Sequence, residues 1–210
     1  MKPGLITTNP AANVKYDYKL NSDEQYEYLL MVNLGSEMNE KVKAEKQDFY
    51  KEYNVKTGIH THPYIMIANF IAKEAMENTA IRWMENIFNN QQSFPVALNN
   101  YSGFPAHTIY LRVQDTKSFQ KLAQELKVVN TYVNACGFPS MKLITHPHVS
   151  IAGSLPEEVY FKALTQYARK SFHESFMVNE LLLLRRKNQY DTCKIIKVFA
   201  LKSGNGGVLN

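Results

Sequence analysis

Cysteine is nearly absent: the 210 residues hold two, Cys136 and Cys193, and neither stands at a spacing used for metal or redox chemistry. That sets aside thiolate metal sites and redox motifs, and it predicts two free, buried thiols. Long apolar runs are missing too, since none approaches the roughly 20 residues that span a bilayer. The opening stretch, MKPGLITTNPAANVKYDYKL, has no apolar segment of the kind a secretion signal carries. Together these absences predict a protein of the reducing cytoplasm with no membrane partner. No low-complexity linker divides the chain, so its halves are expected to share one core. No pattern calls for a cofactor.

What is present suits a globular protein: 45% hydrophobic and 20% charged residues. The length exceeds the commonest single domain and falls short of two. The expected organisation is a flexible arm over residues 1–22, one domain over 23–202 and a flexible tail over 203–210. A net charge of +5 and a pI near 9.0 admit phosphate-bearing partners. From Leu181 onward the only acid is Asp191, against Arg185, Arg186, Lys187, Lys194, Lys197 and Lys202. That run reads first as a solvated face or lysine-protected edge, and second as a phosphate-facing strand pair.

Periodicity predicts the elements. A strand covers 25–33, then Ser36 is placed to cap a helix carrying Met38, Val42, Phe49 and Tyr53 at roughly helical spacing. A strand over 60–70 precedes an amphipathic helix over 71–89. Strands at 94–98 and 107–113 flank a turn at 99–105, rich in Asn, Gly and Pro. A long helix from Asp115 buries Phe119, Leu122, Leu126, Val129 and Val133, and Gly137 and Pro139 end it. A strand runs to Gly153. Ser154-Leu155-Pro156-Glu157 has the form of a capping box opening a helix that reaches 172. Strands at 176–184 and 192–201 close the chain.

One segment occurs twice. Thr61-His62-Pro63-Tyr64-Ile65-Met66-Ile67-Ala68 and Thr145-His146-Pro147-His148-Val149-Ser150-Ile151-Ala152 share five of eight residues, and each is a strand followed by an amphipathic helix. Side chains two apart on a strand share a face. His60, His62, Tyr64 and Met66 therefore line one face, and His146, His148 and Ser150 another. Packed about an approximate twofold, the two strands would bring these faces to opposite sides of a groove. Imidazoles placed so can exchange protons near neutrality, and a Ser beside a His can bind a phosphate oxygen. The plainer reading is a set of buried, hydrogen-bonded histidines.

Pro147-His148-Val149-Ser150-Ile151-Ala152 resembles the H-x-[S/T]-hydrophobic motif of the two-histidine (2H) phosphoesterase superfamily, the 2′-5′ RNA ligase-like proteins. The order of elements over 28–201 is similar as well. The resemblance implies an α+β fold, duplicated and bilobal, of two antiparallel sheets with outer helices and a central groove. It also implies a partner: a phosphodiester of RNA or a nucleotide, commonly a cyclic phosphate, held between two histidines acting as acid and base. Motif hydroxyls hold the phosphate oxygens. His148 takes the histidine role here and Ser150 the hydroxyl role. The first motif departs from the pattern, with Tyr64 at the histidine position and Met66 at the hydroxyl position. A phenol of pKa near 10 is a poor base at neutral pH, and Met donates no hydrogen bond. Gly153 stands where a basic residue often follows the second motif.

Three accounts of the first motif stay open. His62 substitutes for the missing histidine; Tyr64 donates the proton and turnover is slow; or catalysis is lost and the groove only binds. His107, Tyr110 and Arg112 are candidate substrate-binding residues, with His107 out of phase with the other two unless the strand bulges. Tyr101 and Phe104 are candidates for stacking on a base, and His173 reads as a surface residue. A reading of another class is metal binding by His60-x-His62 and His146-x-His148, which no nearby carboxylate supports. It predicts stoichiometric zinc in the purified protein that a chelator removes; metal content at background level before and after chelation discards it.

Overall fold

The computed structural model describes residues 24–55, 61–105 and 107–203. The expected arm, all but the first residue of the expected tail, and His60 lie outside them. Strand β1, Gln25–Asn33, has the predicted bounds and turns Tyr28, Leu30 and Val32 into the core. Helix α1, Ser36–Tyr53, follows Gly35, whose carbonyl accepts the Asn39 N–H at 3.0 Å. The cap is thus Gly35 and not Ser36. At φ 77° and ψ 166° its backbone occupies a region that essentially only glycine enters.

Strand β2 is Tyr64–Lys73, shifted toward the C-terminus of the predicted segment. Pro63 has no N–H to give a ladder, so pairing opens at Tyr64 and leaves His62 ahead of the strand. A 3₁₀ turn, Glu74–Met76, leads into α2, Glu77–Phe88, which buries Ala80, Met84 and Phe88. Strand β3, Phe94–Phe104, absorbs most of the expected turn. Asn99 and Asn100 bulge out of it, since Leu98 pairs with Val113 and Tyr101 with Leu111 on β4, Thr108–Val113. Asn100 holds the bulge at φ 56° and exchanges hydrogen bonds with the Phe172 backbone at 2.7 and 3.0 Å.

The long helix is two, α3 (Lys117–Glu125) and α4 (Lys127–Ala135), yet its predicted apolar face is buried throughout. Gly137 at φ 83° closes it, with the Phe138 N–H on the Val133 carbonyl. Then come β5, Lys142–Leu143, and β6, His148–Ala152. Helix α5, Glu157–Tyr167, starts beyond Pro156 and ends before 172. The capping box does not form, because Ser154 turns left-handed at φ 52° and the Leu155 N–H bonds the His107 carbonyl. The strand expected over 176–184 is also two: β7, His173–Val178, and β8, Glu180–Arg186, broken at Asn179. Strand β9 is Lys194–Ala200.

The strands form two antiparallel sheets, ordered β5-β2-β1-β8-β9 and β6-β4-β3-β7. The chain changes sheet between β7 and β8. Helix α1 packs against β6 and α3 against β2, so a helix from each half supports the other half's motif strand. One apolar cluster runs beneath both sheets. No helix among the described residues is long and apolar enough to cross a membrane. The predicted α+β architecture of two antiparallel sheets, outer helices and a groove is the observed one.

The duplication extends to irregularities. On β2, Met66 pairs with Met31 and Ala68 with Leu30, leaving Ile67 as an extra residue. On β6, Ser150 pairs with Tyr110 and Ala152 with Ile109, leaving Ile151 extra. The two strands bulge at equivalent places, which makes Tyr64 the counterpart of His148 and Met66 that of Ser150. A Cβ at Gly35 would meet nothing within 4 Å, so Gly35→Ala tests backbone strain alone. It is expected to cost about 1–3 kcal/mol in denaturant unfolding, and an unchanged midpoint would disprove the strain.

Candidate functional site

Alternation about the bulges decides which side chains reach the groove. Ile65 and Ile67 of β2, and Val149 and Ile151 of β6, are buried in the core, while Tyr64, Met66, His148 and Ser150 point to the opposite face. Strands β2 and β6 pack beside each other. Among the described residues, β5 pairs with Ala68 and Asn69, and the Ile144 N–H beyond it bonds the Ile67 carbonyl at 2.9 Å.

His148 is the centre of one wall. Phe104 meets its ring edge-on at a centroid distance of 4.9 Å, and Tyr110 lies at 5.0 Å. Phe104 stacks on Tyr110 at 4.5 Å and on His107 at 6.3 Å. The His148 Nδ1–H donates to the His146 carbonyl at 3.2 Å, which leaves Nε2 to carry the lone pair of the neutral ring. Burial pushes the imidazole below the ordinary histidine value, with the His146 carbonyl raising it and the Lys142 charge lowering it. At neutral pH it is therefore an unprotonated base. Ser150 pairs with Tyr110 and Arg112 with His148, so hydroxyl, phenol, guanidinium and imidazole share one patch. The Arg112 Nε–H is steadied by the Asn99 carbonyl at 3.2 Å.

The structure brings together the candidates His107, Tyr110, Arg112, His148 and Ser150. His107 reaches the patch because it precedes β4 rather than belonging to it, with Nδ1 2.6 Å from the Thr108 hydroxyl. Sequence reasoning missed Lys142 and Ser102. Lys142 sits on a two-residue strand that no periodicity reveals, and Ser102, paired with Tyr110, lay in the expected turn. Phe104 belongs to the patch, whereas Tyr101 does not: it is buried in the core, with its hydroxyl donating to Glu45 at 2.7 Å.

The other wall is unlike the first. Tyr64, 40% exposed, opens β2 opposite Asn33, and Met66 faces Met31. Burial pushes the Tyr64 phenol above its ordinary value, with Arg186 opposing the shift and Cys193 and Glu27 adding to it. His62 is exposed and lies before the strand, so the predicted shared strand face of His62 and Tyr64 is not formed. His146 is exposed beside Thr145, its Nδ1 3.1 Å from that hydroxyl, and His173 opens β7 at the surface.

The basic run is largely neutralised by acids. Arg185 bonds Glu74 and Glu77 at 2.9 and 2.7 Å, Arg186 bonds Glu27 at 2.5 Å, Lys187 lies 3.6 Å from Glu24, and Lys197 pairs with Glu85. Cys136 and Cys193 are free, yet exposed and half-buried rather than buried, because neither lies on a core-facing position. Among the described residues no three His, Cys, Asp or Glu side chains gather as a metal would require.

The sequence matches the model of the 2′-5′ RNA ligase superfamily over residues 40–189. A comparison with curated protein sequences finds no match. Among solved structures, Escherichia coli LigT in complex with 3′-AMP is similar at a TM-score of 0.64 and 14% identity, covering 85% of this chain and 99% of that one. The Thermus thermophilus protein TT0787 is similar at 0.63 and 15%, covering 84% and 98%. A further phosphoesterase structure gives 0.58 and 13%, covering 86% and 100%. At these identities the likeness speaks for the fold, and the family rests on the sequence match across most of the chain: this protein belongs to the 2′-5′ RNA ligase superfamily.

Proposed function

We propose that the groove binds a phosphodiester of a nucleotide or RNA, a cyclic phosphate in particular, and hydrolyses it slowly with a single histidine. The observation that carries this reading is the neutral His148, with Nε2 directed away from the His146 carbonyl, beside Ser150 on a bulged strand. Solved structures of LigT hold 3′-AMP, phosphate, NADP⁺ and ATP, which supports a nucleotide ligand.

In this reading Ser150 donates a hydrogen bond to a phosphate oxygen, and Arg112 and Lys142 offset its charge. His148 Nε2 takes a proton from the attacking water as the P–O bond to water forms. The bond to the leaving ribose oxygen breaks, and that oxygen takes a proton from Tyr64. A phenol with a raised pKa is a weak acid, so this step is the slow one. His62, exposed and ahead of β2, takes no part.

Hydrolysis of nucleoside 2′,3′-cyclic phosphates is expected to fall by roughly 10²–10⁴-fold in His148→Ala, the range general acid–base catalysis contributes, and to be unaffected by His62→Ala. Tyr64→His combined with Met66→Thr is expected to accelerate it. Equal rates in wild type and His148→Ala would remove the assignment.

The pH profile follows from the two shifts. His148 must be neutral to act, and its pKa lies below the ordinary value of about 6.5. The rate therefore falls only as pH drops below neutrality. Tyr64 must be protonated, and its pKa lies above about 10. The rate is expected to hold a plateau from neutral pH into the alkaline range. Tyr64→His should add an alkaline limb near neutrality, and a bell-shaped wild-type profile centred near pH 7 would contradict the Tyr64 role.

A further inference from the structure

We propose that Tyr160, on the side of the four-stranded sheet away from the groove, is a positioning residue for His148: its ring backs Gly103 and so holds Phe104 against the imidazole. The proposal rests on the reading of His148 as the base and names what keeps that base in place.

Gly103 lies on β3 between Ser102 and Phe104, two members of the His148 patch, and it pairs with Ile109, which is buried in the core. Alternation therefore turns the vacant side of its α-carbon toward α5, which packs on β3 and β4. A β-carbon at 103 would stand 2.6 Å from the Tyr160 hydroxyl oxygen, 2.9 Å from Cε2 and 3.1 Å from Cζ. The end of the Tyr160 ring fills the place of a side chain, an approach that only glycine permits. Tyr160 is itself buried in the apolar cluster, so packing holds its ring in that place.

The turn after Phe104 is fastened to the same helix. The His107 N–H donates to the Phe104 carbonyl at 3.2 Å, and the His107 carbonyl accepts the Leu155 N–H at 3.0 Å, just ahead of α5. On the groove side the Phe104 ring stacks on Tyr110 at 4.5 Å and meets His148 edge-on at 4.9 Å. Phe104 is thus gripped between Tyr110 and a strand segment backed by Tyr160. Its ring covers one side of the imidazole and adds to the burial that holds His148 below the ordinary histidine value. It also limits how far the imidazole can turn from its bond to the His146 carbonyl. Side chains that lock a functional group's rotamer from behind set its geometry without touching the ligand.

The experiment follows the titration of His148 by NMR in the full chain, its signal identified among the six histidines by its loss in His148→Ala. Phe104→Ala alters a half-buried position, and Tyr160→Leu keeps a buried hydrocarbon while removing the three atoms nearest Gly103. Each is expected to raise the His148 pKa toward about 6.5, since less burial favours the imidazolium. Tyr160→Leu should add no further rise to Phe104→Ala, because it acts through that ring. Gly103→Ala, whose methyl fills the space Tyr160→Leu opens, should bring the titration of Tyr160→Leu back toward wild type. Tyr160→Phe, which removes only the nearest atom, replaces Tyr160→Leu if that variant does not fold. A His148 titration unchanged in either single variant overturns the proposal. So does an equal rise from the Tyr160 variant with and without Phe104, which would make Tyr160 a core residue of general effect. The base reading fails separately, if the titrations shift as expected while His148→Ala hydrolyses cyclic phosphates at the wild-type rate.

Discussion

Everything in the groove depends on how β2 and β6 lie on one apolar core. Each strand commits Ile65 and Ile67, or Val149 and Ile151, to that core at 0–2% exposure, and alternation then sends the intervening side chains the other way. Each also inserts one extra residue, Ile67 or Ile151, so that the following alanine is buried too. A one-residue slip in either strand would turn its functional face into the core. The cross-support of α1 under β6 and α3 under β2 opposes such a slip, because moving either strand disturbs packing contributed by the other half.

Duplication made two equivalent frames, and the side chains placed in them have diverged. On β6 the frame presents imidazole and hydroxyl, with Phe104 and Tyr110 packed around the ring. That enclosure disfavours the imidazolium and lowers the His148 pKa below its ordinary value. On β2 the same positions carry a phenol and a thioether, backed by Met31 and Leu182.

The basic C-terminal strands show why net charge alone does not locate a phosphate site. Glu24 and Glu27 come from the first strand region, and Glu74, Glu77 and Glu85 from the turn and helix after β2, all far from β8 and β9 in sequence. Folding brings them against the basic run and neutralises most of it. Among the described residues, Arg112 pairs with His148 and the Lys142 charge acts on its ring, and neither belongs to that run.

By itself the sequence determined what depends on local pattern: the apolar faces of α1, α3 and α4, the bounds of β1, the stop at Gly137, and the repeat whose second copy carries His148 and Ser150. These follow from spacing and side-chain type within a few turns of chain, and the repeat was enough to point to the family. Tertiary structure decided what depends on partners distant in sequence. Pairing with Arg112 and Tyr110 chose the face of β6, and Pro63 at the mouth of β2 left His62 outside the strand. The Asn99–Asn100 bulge, held by Phe172, carried Ser102 and Phe104 into the site. The break at Asn179, hidden inside one continuous apolar stretch, sent β7 and β8 to different sheets. A strand's own residues specify its alternation, but its neighbours supply the hydrogen bonds that fix its ends, its register and the side from which it faces the groove.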